Sequence, residues 1–384
     1  MRADCDLLIV GASFAGLAAA ATAAARGLRV IVAEAKASPG TRIHTTGLLV
    51  KEAAEEIDFP EALTRKVHGV RLYAPSLKHI ELAAPGYYFL ATDTGALLDW
   101  MAMRATLCGA RVLTNARVMD VRVRDGIAEV EPIGITARFV LGADGARSSV
   151  ARAFGLGRNR RFLAGVEAEL PLADANSTDD CLHCFLDSRL APGYLGWMFS
   201  GVGQRQFGVA VREGQKAHLE PLLAKLGPRF EFSSRDILER RGGLIPCGGL
   251  VRPFASSHAL LVGDAAGLVS PLTAGGIQRA FHFGRRAALA VSDYLCDGGE
   301  HPGAAMTRVY PSFFAKRLMR LAMNVAPPNF VYDALLLTGL FQSTARTIYF
   351  NRRSGRVDLQ EASTLPHGEG AVASAGVKAL TDSA

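Results

Sequence analysis

"LLIVGASFAGLAAA", Leu7 to Ala20, is an apolar run that halts at a glycine and resumes as a chain of small residues. Three structures fit such a stretch: a dinucleotide-binding turn, a serine-hydrolase elbow, or a plain strand running into an alanine-rich helix. The elbow needs G-x-S-x-G, and here Ala15 stands where the second glycine must permit the strained turn. No Ser, Asp, His order follows downstream to complete it. The dinucleotide turn asks Gly11 for the tight bend, a small residue at position 13 so that the backbone can approach a pyrophosphate, and Gly16 for close helix–strand packing. Ser13 is small enough for the middle position, and its hydroxyl can donate to a phosphate oxygen. The free N–H groups at the helix start then favour negative charge.

Working outward, Gly16 to Arg26 reads as a helix and "LRVIVAE" as a second strand, which predicts a parallel pair with a right-handed crossover. Glu34 closes that strand, where an acidic residue accepts from ribose hydroxyls. With strand, helix, strand and acid in order, dinucleotide binding is favoured over a purely structural turn.

Farther on, a short helix is expected near Lys51 to Ile57 and strands between Val70 and Leu90. "DTGALLDWMAMRATLCGA" reads as an amphipathic helix with Leu97, Leu98, Met101 and Leu107 at helical spacing. "RDG" at Arg124 to Gly126 marks a hairpin. Residues 160 to 246 are strand-like apart from a helix near Ala217 to Lys225. A small-residue helix is expected from Gly276 to Leu295, and two more between Ala304 and Phe350, broken at Pro327 and Pro328. The last thirty residues, rich in Ser, Gly and Ala, read as a loosely ordered tail.

Composition narrows the function classes. Apolar residues at 49% and charged ones at 21% suit an ordinary globular protein with a sizeable core. The 43 basic residues against 36 acidic give +7, but the Arg-rich patches are scattered and lack interleaved aromatics, which argues against nucleic acid and for anionic cofactors, acidic substrates or phospholipid headgroups. With no secretory signal at the start, the cytoplasm and free thiols are the expectation. Cys181 and Cys184 have C-x-x-C spacing without the second pair of a zinc site or a thioredoxin-like context, so they read as ordinary strand residues and no metal is expected. His44 and His282 lack partners in view and read as core or surface residues. No apolar run is long enough to cross a membrane, since Asp333 interrupts the greasiest one.

Two later stretches carry more chemistry. "HALLVGDAAGLVSPLTAGGIQRAF" is an apolar strand ending in Gly263-Asp264, followed by Pro271 and a Gly275-Gly276 pair opening a helix. An aspartate at a strand's carboxyl end can accept from a polyol, and a helix N-terminus stabilises the negative charge a flavin gains on reduction. Glycines there let backbone lie against a flat ring. "VLGADGARSSVAR" is another strand, then Asp144-Gly145, then Arg147 and Ser148 at a helix start.

Together, the glycine turn with Glu34, "GADGARSSVAR" and "LLVGDAAG" resemble the three signatures of the para-hydroxybenzoate hydroxylase superfamily of FAD-dependent oxidoreductases, in order, over about the first three hundred residues. Within it, "PGYLGWMFSGVGQRQFGVAV" is similar to the Y-x-W-x-F-P stretch of geranylgeranyl reductases at Tyr194, Trp197 and Phe199, with one extra residue and Ser200 for the proline. The chain departs from the family's pattern at Ser13 and Phe14, where Gly and Pro are usual, at Thr94, where an arginine is usual, and in "TRIHTTG", which lacks a cysteine many prenyl reductases carry.

The resemblance implies an α/β fold: a Rossmann-like FAD-binding domain of the glutathione reductase type, an inserted mixed β-sheet substrate domain and a C-terminal helical segment. The FAD-binding parts are expected at 1–70, 93–160 and 251–300, the substrate parts at 71–92 and 161–250, the helices at 301–353 and the tail at 354–384. It further implies that Gly11, Ser13, Phe14, Ala15, Gly16, Glu34, Ala35 and Arg42 hold the adenosine and pyrophosphate of FAD, with Asp144 and Gly145 supporting the pyrophosphate. Gly263 and Asp264 would hold the ribityl chain or pyrophosphate, while Pro271, Gly275, Gly276 and Ile277 would face the isoalloxazine. Tyr194, Trp197 and Phe199 are the expected substrate pocket, with packing under the sheet as the alternative.

No separate catalytic residue is demanded, because a flavin carries the redox step itself. The implied activity is reduction of an apolar or unsaturated small molecule, with NAD(P)H a candidate transient donor. Two rivals stand beside it: an aromatic monooxygenase using NAD(P)H and oxygen, and a flavin- or lipid-binding protein without turnover. The Met- and Phe-rich stripe from Pro311 to Gln342 reads as core packing against the substrate lobe, with a cap over a greasy tunnel, or a face resting on anionic lipid at the inner side of a membrane, as the sharper alternatives.

Overall fold

The computed structural model describes residues 3–172, 180–232 and 234–350. The tail expected from 354 on therefore lies outside the described residues. The opening strand Cys5–Val10 lies between two parallel partners, Val30–Ala33 and Ile135–Gly142. Val30–Ala33 pairs in parallel with Arg111–Leu113, and Ile135–Gly142 with Ala259–Leu261. The hairpin Asp120–Arg124/Ile127–Glu131 turns at Asp125-Gly126 and joins this sheet antiparallel along Ile135–Gly142. This is the Rossmann-like architecture of the FAD enzymes, its central strands nearly continuous apolar runs because both faces are buried.

The crossover helix Phe14–Ala25 is almost wholly buried, which its small side chains permit. It packs against the long helix Ile277–Asp297, and the approach is so close that a Cβ at Gly284 would lie 2.4 Å from the Ala15 carbonyl oxygen. Helix Thr94–Leu107 buries Leu97, Leu98 and Met101 as expected. Leu107, at its last turn, is instead 77% exposed, and Ala105 takes the buried position.

A second, seven-stranded sheet among the described residues runs in the order Glu239–Pro246, Phe162–Pro171, Gln204–Arg212, Gly196–Ser200, Leu182–Phe185, Val70–Tyr73, His79–Leu82. It is antiparallel except where Leu182–Phe185 runs parallel to Val70–Tyr73. Phe89–Thr92 does not join it but pairs with Leu48–Val50 and Thr64–Val67 in a small separate sheet. The helix expected at 217–225 lies at Glu220–Phe230.

Between 301 and 350 the chain makes four helices, Pro302–Val309, Phe314–Met323, Asn329–Leu335 and Gly339–Tyr349, rather than the two read from the prolines at 327 and 328. Two further breaks explain the difference. Pro311 and the left-handed Phe313 (φ 57°) end the first helix, and the turn at Leu336–Thr338 separates the last two.

His282, on the long helix, shows how burial couples this packing to pH. Desolvation, with Arg285 and Arg286 nearby, pulls its pKa from 6.5 down to about 4. Between those values the unfolded chain binds a proton that the folded chain refuses, so stability rises with pH across the window and is lost as pH falls through it. His282→Gln should remove that term: the loss of unfolding free energy between pH 7 and pH 5 is expected to shrink by about 1–2 kcal/mol in chemical denaturation.

Candidate functional site

The carboxyl ends of the parallel strands open onto one cavity of about 1880 Å³ that continues between the two large sheets. Ligand pockets for drug-sized molecules run about 300–1,000 Å³, so this one has room for a dinucleotide and a second molecule.

At its dinucleotide end stands the opening turn. Gly11 has φ +100°, and a Cβ there would lie 2.4 Å from the Ala143 carbonyl oxygen; at Gly16 a Cβ would lie 1.9 Å from the Gly11 carbonyl oxygen. Both positions therefore require glycine, one by conformation and both by space. Ser13 is the N-cap of helix Phe14–Ala25, yet its side chain makes no capping bond, leaving the hydroxyl and the first-turn N–H groups toward the cavity. Phe14 and Ala15 line it as well. Glu34 is 6% exposed; one carboxylate oxygen accepts from the Ala12 N–H (2.7 Å) and the other from the Lys36 N–H (2.9 Å). Each oxygen keeps a lone pair, so the carboxylate can brace the turn and still accept from a ribose. Ala35 and Arg42 lie beside it in the lining, Arg42 with φ 46°.

The second strand–helix turn brings Asp144, Gly145 and Arg147 to the same wall. One oxygen of Asp144 accepts from the Ser149 N–H (2.6 Å), the Ser149 hydroxyl (2.8 Å) and the Val150 N–H (3.1 Å), capping the short helix Ser149–Ala153. Its other oxygen is buried with no partner. Asp144 thus works first as a helix cap, and its free oxygen points to a donor that the protein does not supply.

The third turn, Gly263–Ala266, sets Asp264 at the end of strand Ala259–Leu261. Its carboxylate lines the cavity, and burial alone pushes its pKa up to about 6. Gly276 caps helix Ile277–Asp297 without a side-chain bond, and a Cβ on it would press Val269 at 3.1 Å and Asp264 Oδ1 at 3.4 Å. Gly275 and Ile277 also line the cavity. Pro271 does not: it is buried behind the lining formed by its neighbours Val269 and Leu272–Ile277.

FAD fits this constellation on four observations. A Gly-only turn faces an uncapped helix start, a buried carboxylate brackets the ribose position, the half-buried Asp264 carboxylate faces the cavity, and a buried Asp144 oxygen lacks a donor. Arg117 and Arg152, which the sequence reading missed, line the wall near Asp144 and add the cations a pyrophosphate wants. Arg152 closes the "GADGARSSVAR" stretch, whereas Arg117 sits in no motif and is delivered by the loop after strand Arg111–Leu113, which only the parallel pairing with Val30–Ala33 brings alongside Glu34.

The other end of the cavity is apolar and walled by the second sheet. Tyr194 and Trp197 line it, with Leu72, Leu182, Cys184 and Leu186. The Trp197 indole lies over the neighbouring strand because its partner there, position 208, is glycine, where a Cβ would be 2.3 Å from the indole. Its N–H donates to Glu167 (3.1 Å). Phe199, 1% exposed, packs farther along the same hydrophobic layer and does not reach the cavity. Burial raises the pKa of Tyr194 and pushes that of Cys184 up to about 12, so both are neutral here. Cys181 and Cys184 are free thiols, and no metal-binding group of side chains exists among the described residues.

Two walls were not foreseen in detail. His44 lines the cavity, its Nδ1–H donating to the Gly242 carbonyl (3.0 Å), and Gly242 and Gly243 line it beside that contact. From the last helix come Phe341, Thr344, Ala345, Ile348 and Tyr349, so Gly339–Tyr349 caps the apolar arm.

Comparisons agree with this geometry. Residues 9–70 match the family model described as an NAD(P)-binding Rossmann-like domain. The digeranylgeranylglycerophospholipid reductase of Methanothrix thermoacetophila is 30% identical over 316 residues, 77% of this chain and 79% of that protein. The menaquinone reductase of Mycolicibacterium smegmatis is 30% identical over 359 residues, covering 86% and 87%. Among solved structures, a geranylgeranyl bacteriochlorophyll reductase-like protein from Thermoplasma acidophilum superposes with a TM-score of 0.77 at 20% identity, over 91% of this chain and 97% of the other, and so shares the fold.

Proposed function

The chain belongs to the geranylgeranyl reductase-like branch of the FAD-dependent oxidoreductases, and from that premise we propose that it saturates carbon–carbon double bonds in an elongated, isoprenoid-type substrate borne by lipid. The observation that carries this reading is the shape and polarity of the cavity. A dinucleotide end rich in glycine and charge continues into a long apolar arm whose polar groups, Cys184 and Tyr194, are held neutral by burial.

Bound, reduced FAD would supply the hydride to one carbon of the double bond while the other carbon takes a proton from water, NAD(P)H being the candidate donor that recharges the flavin. The protein's part is placement. Gly11, Ser13, Gly16, Glu34, Arg42 and Arg117 would hold the adenosine and pyrophosphate. Asp264 would accept from the ribityl hydroxyls, and Gly275 and Gly276 would let the ring lie against backbone. Trp197 and Tyr194 would align the chain of the substrate, and the helix Gly339–Tyr349 would keep water from the reacting carbons. His44, held by the Gly242 carbonyl through Nδ1, is a titratable side chain in the cavity wall.

The test is product analysis. Anaerobic incubation of the FAD-loaded protein with dithionite and detergent-dispersed geranylgeranylated lipid should give products heavier by two hydrogens per double bond. Tyr194→Ala/Trp197→Ala should keep its flavin spectrum while kcat/KM falls by about tenfold to a hundredfold, since aromatic contacts align the substrate. An unaltered lipid mass with fully reduced flavin would refute the reading. In a parallel aerobic incubation with NAD(P)H, gain of one oxygen atom would install the monooxygenase reading in its place.

A further inference from the structure

The helices after residue 313 carry many of their apolar side chains on the outside. Phe314, Leu318, Leu321 and Val325 follow at spacings of four, three and four, so they form one stripe along helix Phe314–Met323 and the turn after it. They are 75%, 63%, 47% and 76% exposed, and Phe330, Leu337 and Leu340 on the following segments are exposed as well, at 72%, 60% and 81%. On the inward side of the same helix lies a cation: Arg320 is 3% exposed, donates to the Gly193 carbonyl and to Asn324, and sits over the Tyr194 ring. Polarity is thus inverted relative to a helix that packs an apolar stripe on a core. An exposed apolar surface of this extent marks a contact with something other than water.

Charge says what that something is. From 301 to 350 the sequence holds Arg308, Lys316, Arg317, Arg320 and Arg346 against one acid, Asp333. Asp333 is engaged by the Ser76 N–H and Arg308 by Glu300, whereas the guanidinium groups of Arg317 and Arg346 have no hydrogen-bond or ion-pair partner among the described residues. A second copy meeting this face would bring the same positive charge against itself. The helices are also the wall of the apolar arm, through Met323, Phe341, Ala345 and Tyr349.

We propose that this face docks on an anionic phospholipid bilayer, with the apolar stripe entering the boundary between headgroups and acyl chains and the arginines meeting phosphates. The proposal rests on the reductase reading only for its purpose, delivery of a lipid-borne substrate into the arm; the surface itself is read from exposure and charge.

Flotation of the full-length, FAD-loaded protein tests it. With vesicles of phosphatidylcholine mixed with phosphatidylglycerol the protein should rise with the lipid. With phosphatidylcholine alone, or in high salt, the floated fraction should fall about tenfold. Leu318→Asp/Leu321→Asp/Leu340→Asp should keep its flavin absorbance and lose flotation by at least about tenfold. If that variant loses its flavin, Arg317→Glu/Arg346→Glu supplies the second arm and should abolish the preference for phosphatidylglycerol. Wild-type protein left at the bottom of the gradient, variants floating like wild type, or a wild-type dimer by light scattering that the leucine variant lacks would each overturn the docking surface. Reduction of detergent-dispersed lipid without flotation would sink this inference alone, and flotation without reduction would sink the reductase reading alone.

Discussion

Purified Asp264→Ala is expected to emerge nearly colourless, with FAD affinity lowered about tenfold to a hundredfold, the worth of a charge-assisted hydrogen bond or two. The carboxylate stands at the end of a buried strand with nothing but burial acting on its pKa, raised from 3.8 to about 6. Its folded value exceeds its unfolded one, so the stability it contributes is complete below about pH 4 and lost as pH rises through 6. Above that pH the ionised group in the empty protein costs about 3 kcal/mol. The same substitution should therefore raise the melting temperature of the flavin-free protein at pH 8 while removing the flavin. Those opposite signs separate a binding role from misfolding, which would lower both. Asp264→Asn, which can still accept, should fall between. Full flavin occupancy in Asp264→Ala would remove this residue from the site.

How far such a site can be read without coordinates depends on whether its parts are neighbours in sequence. The opening turn was legible because Gly11, Ser13, Gly16 and Glu34 sit on one strand–helix–strand unit whose geometry is local. The same holds for the turns at Asp144 and Asp264. Phe199 and Pro271 were placed in the site by the family resemblance; Phe199 shares the face of Trp197 but lies farther along the sheet than the cavity reaches, and Pro271 is buried behind the loop that lines it. Arg117, His44 and the helix Gly339–Tyr349 enter from segments with no motif, brought in by sheet order that periodicity does not specify. The stripe at Phe314 to Val325 has the period of a core helix, and period alone does not say which side of the helix faces water. Here the buried Arg320 inverts it.

The largest loss of stability is expected from Arg241→Leu. Alternation in "GVEAEL" predicts a strand with Glu167 and Glu169 on one face, but only antiparallel pairing with Glu239–Pro246 sets Arg241 opposite them. The guanidinium donates to both carboxylates, to Glu167 through Nε at 3.0 Å and to Glu169 through Nη1 at 2.5 Å. Glu167 and Glu169 are 5% and 8% exposed. Deleting the cation leaves two desolvated negative charges side by side, so the unfolding free energy should fall by about 3–5 kcal/mol in urea. Glu167 is also the anchor for the site, since Thr46 donates to it at 2.7 Å and Trp197 at 3.1 Å. The cluster therefore ties the loop carrying His44 to the sheet carrying the aromatic wall. Glu167→Gln, which keeps an acceptor for both donors, should cost only about 1–2 kcal/mol. Its larger effect should be on KM, because the loop and Trp197 would no longer be drawn to one charge. An Arg241→Leu protein as stable as wild type would mean that the two carboxylates reach water, and that the loop at Thr46 is held by something other than this ion cluster.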